Sequence, residues 1–419
     1  MRRAYSAVLA LLTPLYVARL WWRGRSEPLY RHAIGERLGH YAAAPTAGWL
    51  WMHAVSLGET RAAGMLVHSL RELMPDLRLL LTHGTATGRE AGADLLRAGD
   101  VQTWLPFDTP GCAERFLAQF SPQIGVLMET EIWPNLLQAA QDRRVPMVLA
   151  NARLSDKSLH KAQRFAALMR PAAGQLTLAL AQTESDVLRL RQAGVPNVEL
   201  SGNLKFDLTP DPRLLAQGRQ WKQRLDRDVV LAAITREGEE AMLLAEWAKL
   251  PEPRPLLLIV PRHPQRFDEV AGLIGAAGLR LARRSSWGES PTQQALSAQA
   301  WLGDSMHEMP LYYGVAQVAL LGGSFEPLGG HNLIEAAACG CPLVMGPHTF
   351  NFAEAANMSI SAGAAFRARD MADALPVALA LLPPRKHVEV AGLALGFAAQ
   401  HKGAARRMAR RIAETLRCV

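Results

Sequence analysis

Residues 315–335, VAQVALLGGSFEPLGGHNLIE, give the clearest indication of the fold class. An apolar strand candidate, Val315–Leu321, runs into a loop with four glycines in nine residues, and an Ala-rich helical segment, Asn332–Cys339, follows. The free N–H groups and the dipole at such a helix start attract phosphate. Neither G-x-G-x-x-G nor a Walker Gly-Lys-Ser/Thr occurs in this loop, which disfavours NAD and P-loop chemistry. The stretch therefore predicts nucleotide binding in an α/β domain.

On both sides of this stretch, short apolar runs alternate with helix-length segments, and the pattern occurs twice along the 419 residues. The first set of strand candidates is Trp49–Val55, Leu77–Thr82, Gln123–Met128, Pro146–Ala150, Leu176–Ala181 and Val198–Ser201, with helices such as Glu59–Leu73 and Ser158–Arg170. The second set is Val229–Ile234, Pro255–Val260, Val315–Leu321 and Pro342–Met345, with helices such as Gly238–Lys249. The alternation predicts two doubly wound, parallel-sheet domains facing each other across a ligand cleft.

The expected organisation has five segments. A membrane-associated helix covers residues 1–25, a first Rossmann-like domain 26–206, a linker 207–222, a second Rossmann-like domain 223–396 and a basic carboxyl-terminal helix 397–419. Pro210 and Pro212 interrupt regular structure at the join, which is the reason for placing the linker there.

Positive charge is concentrated at the two ends of the chain. Residues 1–40 and 401–419 each carry a net +5, which leaves the 360 residues between them at −2 out of an overall +8. A nucleic-acid binder would normally have its basic face inside the folded domain, so nucleic acid is not expected as a partner. Basic ends fit an anionic membrane surface, and solvated terminal helices without a partner are the alternative.

Residues 4–22 read AYSAVLALLTPLYVARLWW, in which Arg19 is the only charge. Nineteen residues are marginal for crossing a bilayer, and no small-residue cleavage site follows them. Tyr16, Trp21 and Trp22 suit a membrane interface. The segment predicts an uncleaved membrane helix, either a signal anchor or monotopic, with the bulk of the chain in the cytosol. Because Arg19 and Pro14 interrupt the apolar run, a buried amino-terminal helix is the alternative.

No spacing typical of a metal or disulfide site occurs. Of the four cysteines, Cys112 and Cys418 are isolated and only one glycine separates Cys339 from Cys341, so reduced thiols are expected. Glu129 and Glu131 form a carboxylate pair, but no third ligand lies at a useful spacing. No metal and no cofactor are expected.

Glu59 is the candidate base of the first domain because it follows the strand that ends in HAV. A carboxylate at the carboxyl end of a strand could accept a hydroxyl proton, and its place near a helix start predicts a lowered pKa. Ser56 and Glu59 also have the spacing of a capping box, which is the structural alternative. Lys205 precedes the expected linker and could bring a positive charge to an anion, or it could simply be solvated.

The second domain offers two further polar clusters. Arg262 and His263 directly follow an apolar strand and could meet a phosphate or a base, or they could simply lead into a helix. Ser305 with Glu308, and Asn332 with Glu335, have capping-box spacing. A capped helix start remains an anion site, so the two interpretations are compatible.

Seven motifs taken together resemble one family. They are HAVSLGET, METEIWPN, LANARLS, GNLKFD, VPRHPQRF, GGSFEPLGGHN and MGPHTFNF, in the order and approximate spacing of the 3-deoxy-D-manno-octulosonic acid (Kdo) transferases. The resemblance implies a GT-B fold, with the acceptor bound by the first domain and the nucleotide by the second. It also implies metal-independent, inverting transfer of Kdo from CMP-Kdo to the lipid A precursor lipid IVA, at the cytoplasmic face of the inner membrane.

By position, Glu59 resembles the family's proton acceptor, and Glu129 and Lys205 resemble its transition-state stabilisers. The residues that resemble CMP contacts are Arg262, His263, Met306, His307, Glu308, Asn332, Leu333, Ile334 and Glu335. Two residues depart from the family pattern: Arg236 replaces a usual histidine and His307 replaces a usual glycine.

Two alternative functions remain open on the sequence alone. One is a nucleotide-sugar epimerase of the same fold, although such enzymes usually lack an apolar anchor. The other is a non-catalytic membrane protein that binds CMP or a lipid A precursor, which the departures at Arg236 and His307 would suit. The number of Kdo units transferred is left undetermined.

Overall fold

The computed structural model describes residues 1–418. The chain forms two compact units. The first contains residues 1–207 and 402–419, and the second contains residues 208–401.

The first unit is built on a seven-stranded, fully parallel sheet in the order β3-β2-β1-β4-β5-β6-β7. The strands are β1 (Leu50–His53), β2 (Leu79–His83), β3 (Val101–Trp104), β4 (Ile124–Met128), β5 (Met147–Ala152), β6 (Leu178–Ala181) and β7 (Val198–Leu200). Most of these strands are buried throughout, as expected for a sheet covered on both faces. Strand order reverses at β1, and ligands bind beyond the carboxyl ends of strands at such a reversal.

Helices cover both faces of this sheet and pack against two apolar clusters. The helices of this unit are α1 (Arg2–Arg23), α2 (Ile34–Arg37), α3 (Leu57–Leu73), α4 (Ala86–Ala93), α5 (Pro110–Phe120), α6 (Pro134–Asp142), α7 (Asp156–Arg164), α8 (Ala166–Ala173) and α9 (Glu184–Ala193). Of these, α3, α5, α6, α8 and α9 contribute buried side chains to the two clusters. Short 3-10 turns cover Pro28–Arg31 and Leu204–Asp207.

The second unit has a second seven-stranded parallel sheet, in the order β10-β11-β9-β8-β12-β13-β14. Its strands are β8 (Val229–Thr235), β9 (Leu256–Pro261), β10 (Leu281–Arg283), β11 (Ala300–Leu302), β12 (Val318–Leu321), β13 (Leu343–Met345) and β14 (Ala365–Arg367). The chain again reverses strand order at its first strand, β8, so β8, β9 and β12 end side by side.

The helices of the second unit are α10 (Pro212–Arg224), α11 (Glu239–Trp247), α12 (Phe267–Ala276), α13 (Gln293–Ser297), α14 (Met309–Val315), α15 (Ile334–Cys339), α16 (Ala353–Ser361), α17 (Met371–Ala380) and α18 (Pro384–Gln400). Short 3-10 turns cover Pro264–Arg266, Arg284–Ser286 and Phe350–Phe352. The chain then returns to the first unit as α19 (Ala404–Arg417), which packs on α3.

Two sequence-based boundaries differ from this organisation. The expected linker 207–222 is mostly helical, because Asp211 caps α10 through the N–H groups of Arg213 and Leu214 and Pro212 occupies the first helical turn, where proline is favourable. The expected terminal helix 397–419 is instead the end of α18 followed by α19, and the two helices belong to different units.

The segment 4–22 lies within α1, a helix of 22 residues that is long and apolar enough to cross a membrane by length and composition. None of its side chains is fully buried, so the alternative of a buried amino-terminal helix is wrong.

Candidate active site

Charged side chains converge at the carboxyl ends of three neighbouring strands of the first unit. Glu59 lies in the first turn of α3, directly after β1, while Glu129 and Glu131 follow β4 and Arg153 follows β5. The half-buried Glu59 carboxylate accepts hydrogen bonds from the Val55 N–H and the Ser56 hydroxyl, both at 2.9 Å. Ser56 is the N-cap of α3, so the predicted capping residue and the candidate base share one helix start.

The predicted lowering of the Glu59 pKa is wrong. Burial is the largest influence and raises the pKa of Glu59, and the negative charge of Glu129 raises it further. The hydrogen bonds from Val55 and Ser56 and the charge of Arg153 oppose this rise but do not cancel it. Because a higher pKa makes the ionised carboxylate a better proton acceptor, the environment suits a general base.

Glu129 is held by its backbone and by an ion pair. Its φ of 59° is left-handed, and the residue is only 8% exposed. The Nε atom of Arg153 lies 2.7 Å from the Glu129 carboxylate. Non-glycine residues in this backbone region are uncommon and concentrate at functional sites.

Lys205 lies in the 3-10 turn after β7 and belongs to the same electrostatic cluster. Burial lowers the pKa of Lys205, while the charge of Glu129 opposes that shift. The structure therefore brings together all three residues that the sequence suggested for this unit: Glu59, Glu129 and Lys205.

Glu131 and His53 add a titratable pair whose chemistry the sequence did not reveal. His53 is fully buried, and burial lowers its pKa to about 3, so its ring is neutral at pH 7. Its Nδ1 lies 3.1 Å from the Thr82 carbonyl oxygen, which leaves Nε2 as an acceptor 4.0 Å from the Glu131 carboxylate. Burial and the charge of Glu59 raise the pKa of Glu131 to about 7, although Trp133 donates a hydrogen bond to it at 2.8 Å.

We expect Glu131→Gln to flatten the pH dependence of stability. Since the folded pKa of Glu131 lies above its ordinary value of 4.5, its contribution to stability is complete below about pH 4.5 and is lost as pH rises through about 7. The wild type should therefore lose on the order of 2–3 kcal/mol relative to the variant between pH 5 and pH 8.5. Urea denaturation at the two pH values measures this difference, and parallel curves would contradict it.

A pocket of about 420 Å³ adjoins this cluster within the first unit. Its largely apolar wall includes Leu9, Thr13, Tyr16, Val55, Leu105, Pro106, Phe107 and Trp133. Its polar lining includes Arg37, His53, Thr85, Asp108 and Glu131. The Nε of Arg37 and the Nε2 of His53 are buried without a hydrogen-bond partner, so the pocket offers one donor and one acceptor to a polar ligand.

In the second unit, the glycine-rich loop after β12 is pressed against the end of β8. A side chain at Gly322 would approach the Ile234 carbonyl oxygen to about 2.2 Å, and Gly323 has a φ of 68°. Ile234 itself has a φ of 59° at the point where the register between β8 and β9 shifts. A β-branched residue in this region is an outlier, which marks the end of β8 as strained.

A buried carboxylate holds the loop in place. Glu239, which is 1% exposed, accepts hydrogen bonds from the N–H groups of Gly323 (2.7 Å), Phe325 (3.0 Å) and Arg236 (2.9 Å). Burial raises the pKa of Glu239 against the effect of these bonds. These backbone N–H groups of the loop, which could have bound a phosphate, therefore already donate hydrogen bonds to Glu239.

Positive groups gather beside this loop instead. The pKa of His331 falls to about 4, first because of burial and then because of the charges of Arg262, Arg236 and His263. The Nε2 of His331 is buried and has no hydrogen-bond partner. Arg262 and His263 are exposed at the end of β9. The cluster provides two permanent cations, Arg236 and Arg262, for an anion, and the neutral ring of His331 lies beside them. The sequence motifs had not singled out His331.

The residues 306–308 follow β11, next to β9 in the sheet. Met306 is exposed, and His307 has a φ of 64°, so histidine occupies a position where glycine is conformationally favoured. Glu308 receives two hydrogen bonds from Arg284 (2.9 and 3.0 Å) and one from Ser305. The expected capping of a helix by Ser305 does not occur, because α14 begins at Met309.

The expected capping box of Asn332 and Glu335 is also wrong. Helix α15 begins at Ile334, and its N-cap, Leu333, makes no side-chain capping bond. The Asn332 side chain accepts a hydrogen bond from the Ile334 N–H at 3.1 Å, while burial raises the pKa of Glu335. Because the side chains of Leu333 and Ile334 are buried, only their backbone groups can reach a ligand.

Among residues 1–418, no group of three or more histidine, cysteine, aspartate or glutamate side chains is arranged to hold a metal ion. Cys112, Cys339 and Cys341 are buried free thiols, and Cys418 is an exposed one.

Comparisons with known proteins agree on one family. A family model described as 3-deoxy-D-manno-octulosonic-acid transferase (kdotransferase) matches residues 32–208. The chain is 46% identical to the 3-deoxy-D-manno-octulosonic acid transferase of Bordetella pertussis, over 97% of both chains. It is 36% identical to the transferase of Haemophilus influenzae, over 90% of both chains.

Solved structures support the fold. The UDP-GlcNAc 2-epimerase of Neisseria meningitidis matches 89% of this chain and 100% of its own with a TM-score of 0.54, and HepE of Anabaena in complex with UDP matches 90% and 100% with a TM-score of 0.55. At 15% and 13% identity these likenesses concern the fold alone. The predicted fold class, two parallel-sheet α/β domains of GT-B type, is confirmed. The identity to whole-length relatives shows that the chain belongs to the 3-deoxy-D-manno-octulosonic acid (Kdo) transferases, a family of glycosyltransferases.

Proposed function

We propose that this Kdo transferase moves Kdo from CMP-Kdo to lipid IVA, with inversion and without a metal, at the cytoplasmic face of the inner membrane. The observation that carries the proposal is the placement of Glu59 at the end of β1, where burial raises its pKa beside a pocket of about 420 Å³. The first unit would bind the acceptor and the second unit the CMP-sugar.

In the proposed reaction, Glu59 takes the proton of the acceptor hydroxyl. The oxygen forms a bond to the anomeric carbon of Kdo while the bond from that carbon to the CMP phosphate breaks, and the electron pair leaves with CMP. Attack on the face opposite the leaving group inverts the configuration. The Glu59 carboxylate is already oriented by Val55 and Ser56, so its lone pairs need little reorganisation.

Glu129 and Lys205 suit the stabilisation of the transition state. As the bond to CMP breaks, the sugar acquires oxocarbenium character, which a nearby carboxylate favours. Glu129 is fixed by Arg153, and Lys205 lies within the electrostatic reach of Glu129. The cluster thus offers both a negative charge for the sugar and a positive charge for the anions of the donor.

For CMP we propose contacts from Arg262, His263, Met306, His307, Glu308, Asn332, Leu333, Ile334 and Glu335. We add Arg236 and His331 to this set, because the charge of Arg236 and the unpartnered Nε2 of His331 lie near Arg262 and His263. Arg236 thereby retains a cationic role where the family usually has histidine. Leu333 and Ile334 would act through their backbone, since their side chains are buried.

We expect Glu239→Gln to weaken CMP binding by about tenfold to a hundredfold, while turnover at saturating donor falls less. The amide of glutamine places an N–H group against a backbone donor and removes charge-assisted hydrogen bonds worth about 1.5–3 kcal/mol each. Calorimetric titration with CMP measures the effect. Glu246→Gln on the same helix, α11, is the matched control, and equal CMP affinity in all three proteins would contradict the prediction.

The decisive test of the proposed function is incubation of the purified protein with CMP-Kdo and lipid IVA, followed by mass spectrometry of the lipid. A mass increase of one or more Kdo units supports the reaction and counts the transfers. The same reaction in excess EDTA tests metal independence, and NMR of the product linkage tests inversion. If the mass of the lipid does not change although the protein binds CMP, lipid IVA is not the acceptor, and the non-catalytic alternative is favoured.

A further inference from the structure

One face of α1 is packed against the first unit along its whole length. The half-buried side chains of this helix are Tyr5, Ser6, Leu9, Leu12, Thr13, Val17, Leu20 and Arg23. Their separations repeat at about 3.6 residues, which places them on one side of the helix. The face therefore continues from the first turn to the last.

Polar and aromatic contacts fix this face at both ends and in the middle. The Tyr5 hydroxyl donates to the Asp108 carboxylate at 2.9 Å, and the Ser6 hydroxyl lies 3.0 Å from the Asn135 side-chain oxygen. The Tyr16 ring packs 6.2 Å from the ring of Phe107.

At the other end, the guanidinium of the half-buried Arg23 lies over the ring of the buried Tyr30, 4.2 Å from its centroid. The contacts thus extend over residues 5–23, which is about 27 Å of helix at 1.5 Å per residue.

The opposite face is apolar and open. Met1, Ala4, Val8, Leu11, Leu15, Ala18 and Trp22 are all exposed and follow one another at intervals of three and four residues. Arg3 and Arg19 lie on opposite edges of this strip, about 80° around the helix from Leu11 at 100° per residue. An apolar strip edged by arginines is the pattern of a helix that lies in a membrane interface, where the cations meet anionic headgroups.

This packing is incompatible with a helix that crosses the bilayer. A crossing helix needs about 30 Å of hydrocarbon around it. Here, the first unit occupies one side of α1 for about 27 Å, and the polar side chains of Asp108 and Asn135 lie at the amino-terminal end of this contact. Burying these groups in hydrocarbon would be costly, whereas a bilayer surface can cover the open strip alone.

We propose that α1 lies flat on an anionic membrane, with both ends on the same side and its open strip facing the lipid. This inference rests on the proposed membrane attachment and specifies its form. Because Leu9, Thr13 and Tyr16 of α1 also line the pocket beside Glu131, the pocket wall is then at headgroup level, where a lipid-linked acceptor can enter without leaving the bilayer.

Spin-label depth measurements test this geometry in the full chain. The exposed Cys418 is first replaced by serine. Single cysteines then replace Ala4, Leu11 and Ala18, three positions on the open strip that are spaced by seven residues. A cysteine at the exposed position of Val388, in α18, is the control. The labelled proteins are bound to vesicles of phosphatidylethanolamine and phosphatidylglycerol. We expect the labels at the three strip positions to lie at equal, shallow depths in the bilayer, and the label at the control position to remain outside it. A depth maximum at Leu11, with both ends shallow, would show a crossing helix and overturn the proposal.

The charge requirement is tested separately. We expect Arg3→Gln and Arg19→Gln each to weaken binding to the anionic vesicles about fivefold, and the exposed Arg385→Gln in α18 to leave it unchanged. Equal binding of all variants, or no binding by the wild type, would also overturn the proposal. Transfer of Kdo in detergent solution is assayed on the same proteins, so that loss of the proposed function and a different membrane geometry are distinguished.

Discussion

Glu59→Gln is expected to reduce turnover by about 10²–10⁴-fold, because it removes the only atom proposed to take the acceptor proton. Glutamine keeps the size of the side chain and one acceptor oxygen for Val55 or Ser56, so the free energy of unfolding should change by only about 1 kcal/mol. CMP binding should be unchanged, since Glu59 lies in the first unit. Steady-state kinetics with varied acceptor, together with a CMP titration, measures both effects.

The matched control is Glu72→Gln, an exposed carboxylate in the last turn of the same helix. Its activity should equal that of the wild type, and its stability should differ by no more than about 0.5 kcal/mol. Near-normal turnover of a folded Glu59→Gln protein would remove Glu59 from the role of base. In the wild type, the acid limb of the pH–rate profile should have an apparent pKa above the ordinary pKa of glutamate, because burial raises the pKa of Glu59.

Arg266→Met is expected to destabilise the protein by about 3–5 kcal/mol, since it leaves a buried carboxylate without its cation. Glu240 is fully buried and receives two hydrogen bonds from Arg266, at 2.7 and 3.1 Å. The same carboxylate accepts the Thr235 hydroxyl at 2.7 Å, and the Thr235 carbonyl accepts the N–H of Arg262 at 2.9 Å. The loss should therefore also weaken CMP binding. Urea denaturation and a CMP titration provide the two measurements.

A double variant separates lost charge pairing from lost volume. Adding Glu240→Gln to Arg266→Met removes the buried charge and should recover most of the stability. Arg369→Met breaks an exposed pair with Asp373 and should leave the free energy of unfolding nearly unchanged, because water screens exposed ion pairs. If the exposed and the buried replacement have equal effects, the buried network is not what stabilises the end of β8.

The sequence predicted most of the sheets but not their short or polar strands. Strands β1 and β9 were predicted within a few residues because continuous apolar runs mark strands buried on both faces. In β3, the polar residues Gln102 and Thr103 lie between Val101 and Trp104, so no apolar run marks the strand. The strands β10, β11 and β14, which were also not predicted, have only three residues each, too few for a periodic signal. The predicted strand 315–321 begins late, at Val318, because Val315 ends helix α14.

The predictions for the site residues reached a similar limit. Motif positions place Glu59, Glu129 and Lys205 at strand ends, and the parallel topology brings them together. The sequence could not indicate that burial raises the pKa of Glu59 more than the helix start lowers it, because that balance depends on which residues cover the carboxylate. Nor could it show that Glu239 uses the loop donors at Gly323 and Phe325, residues more than eighty positions away.

The path of α19 bears on how the protein is synthesised. Met408 and Ile412 belong to the same apolar cluster as Leu66 on α3, and the Asp207 carboxylate accepts hydrogen bonds from the N–H groups of Gly403 and Ala405. The first unit therefore lacks part of its core until α19 leaves the ribosome, whereas every residue of the second unit has by then been made. A premature stop near residue 400 would yield a complete nucleotide-binding half attached to an unfinished one, with the apolar side of α3 uncovered and prone to aggregate.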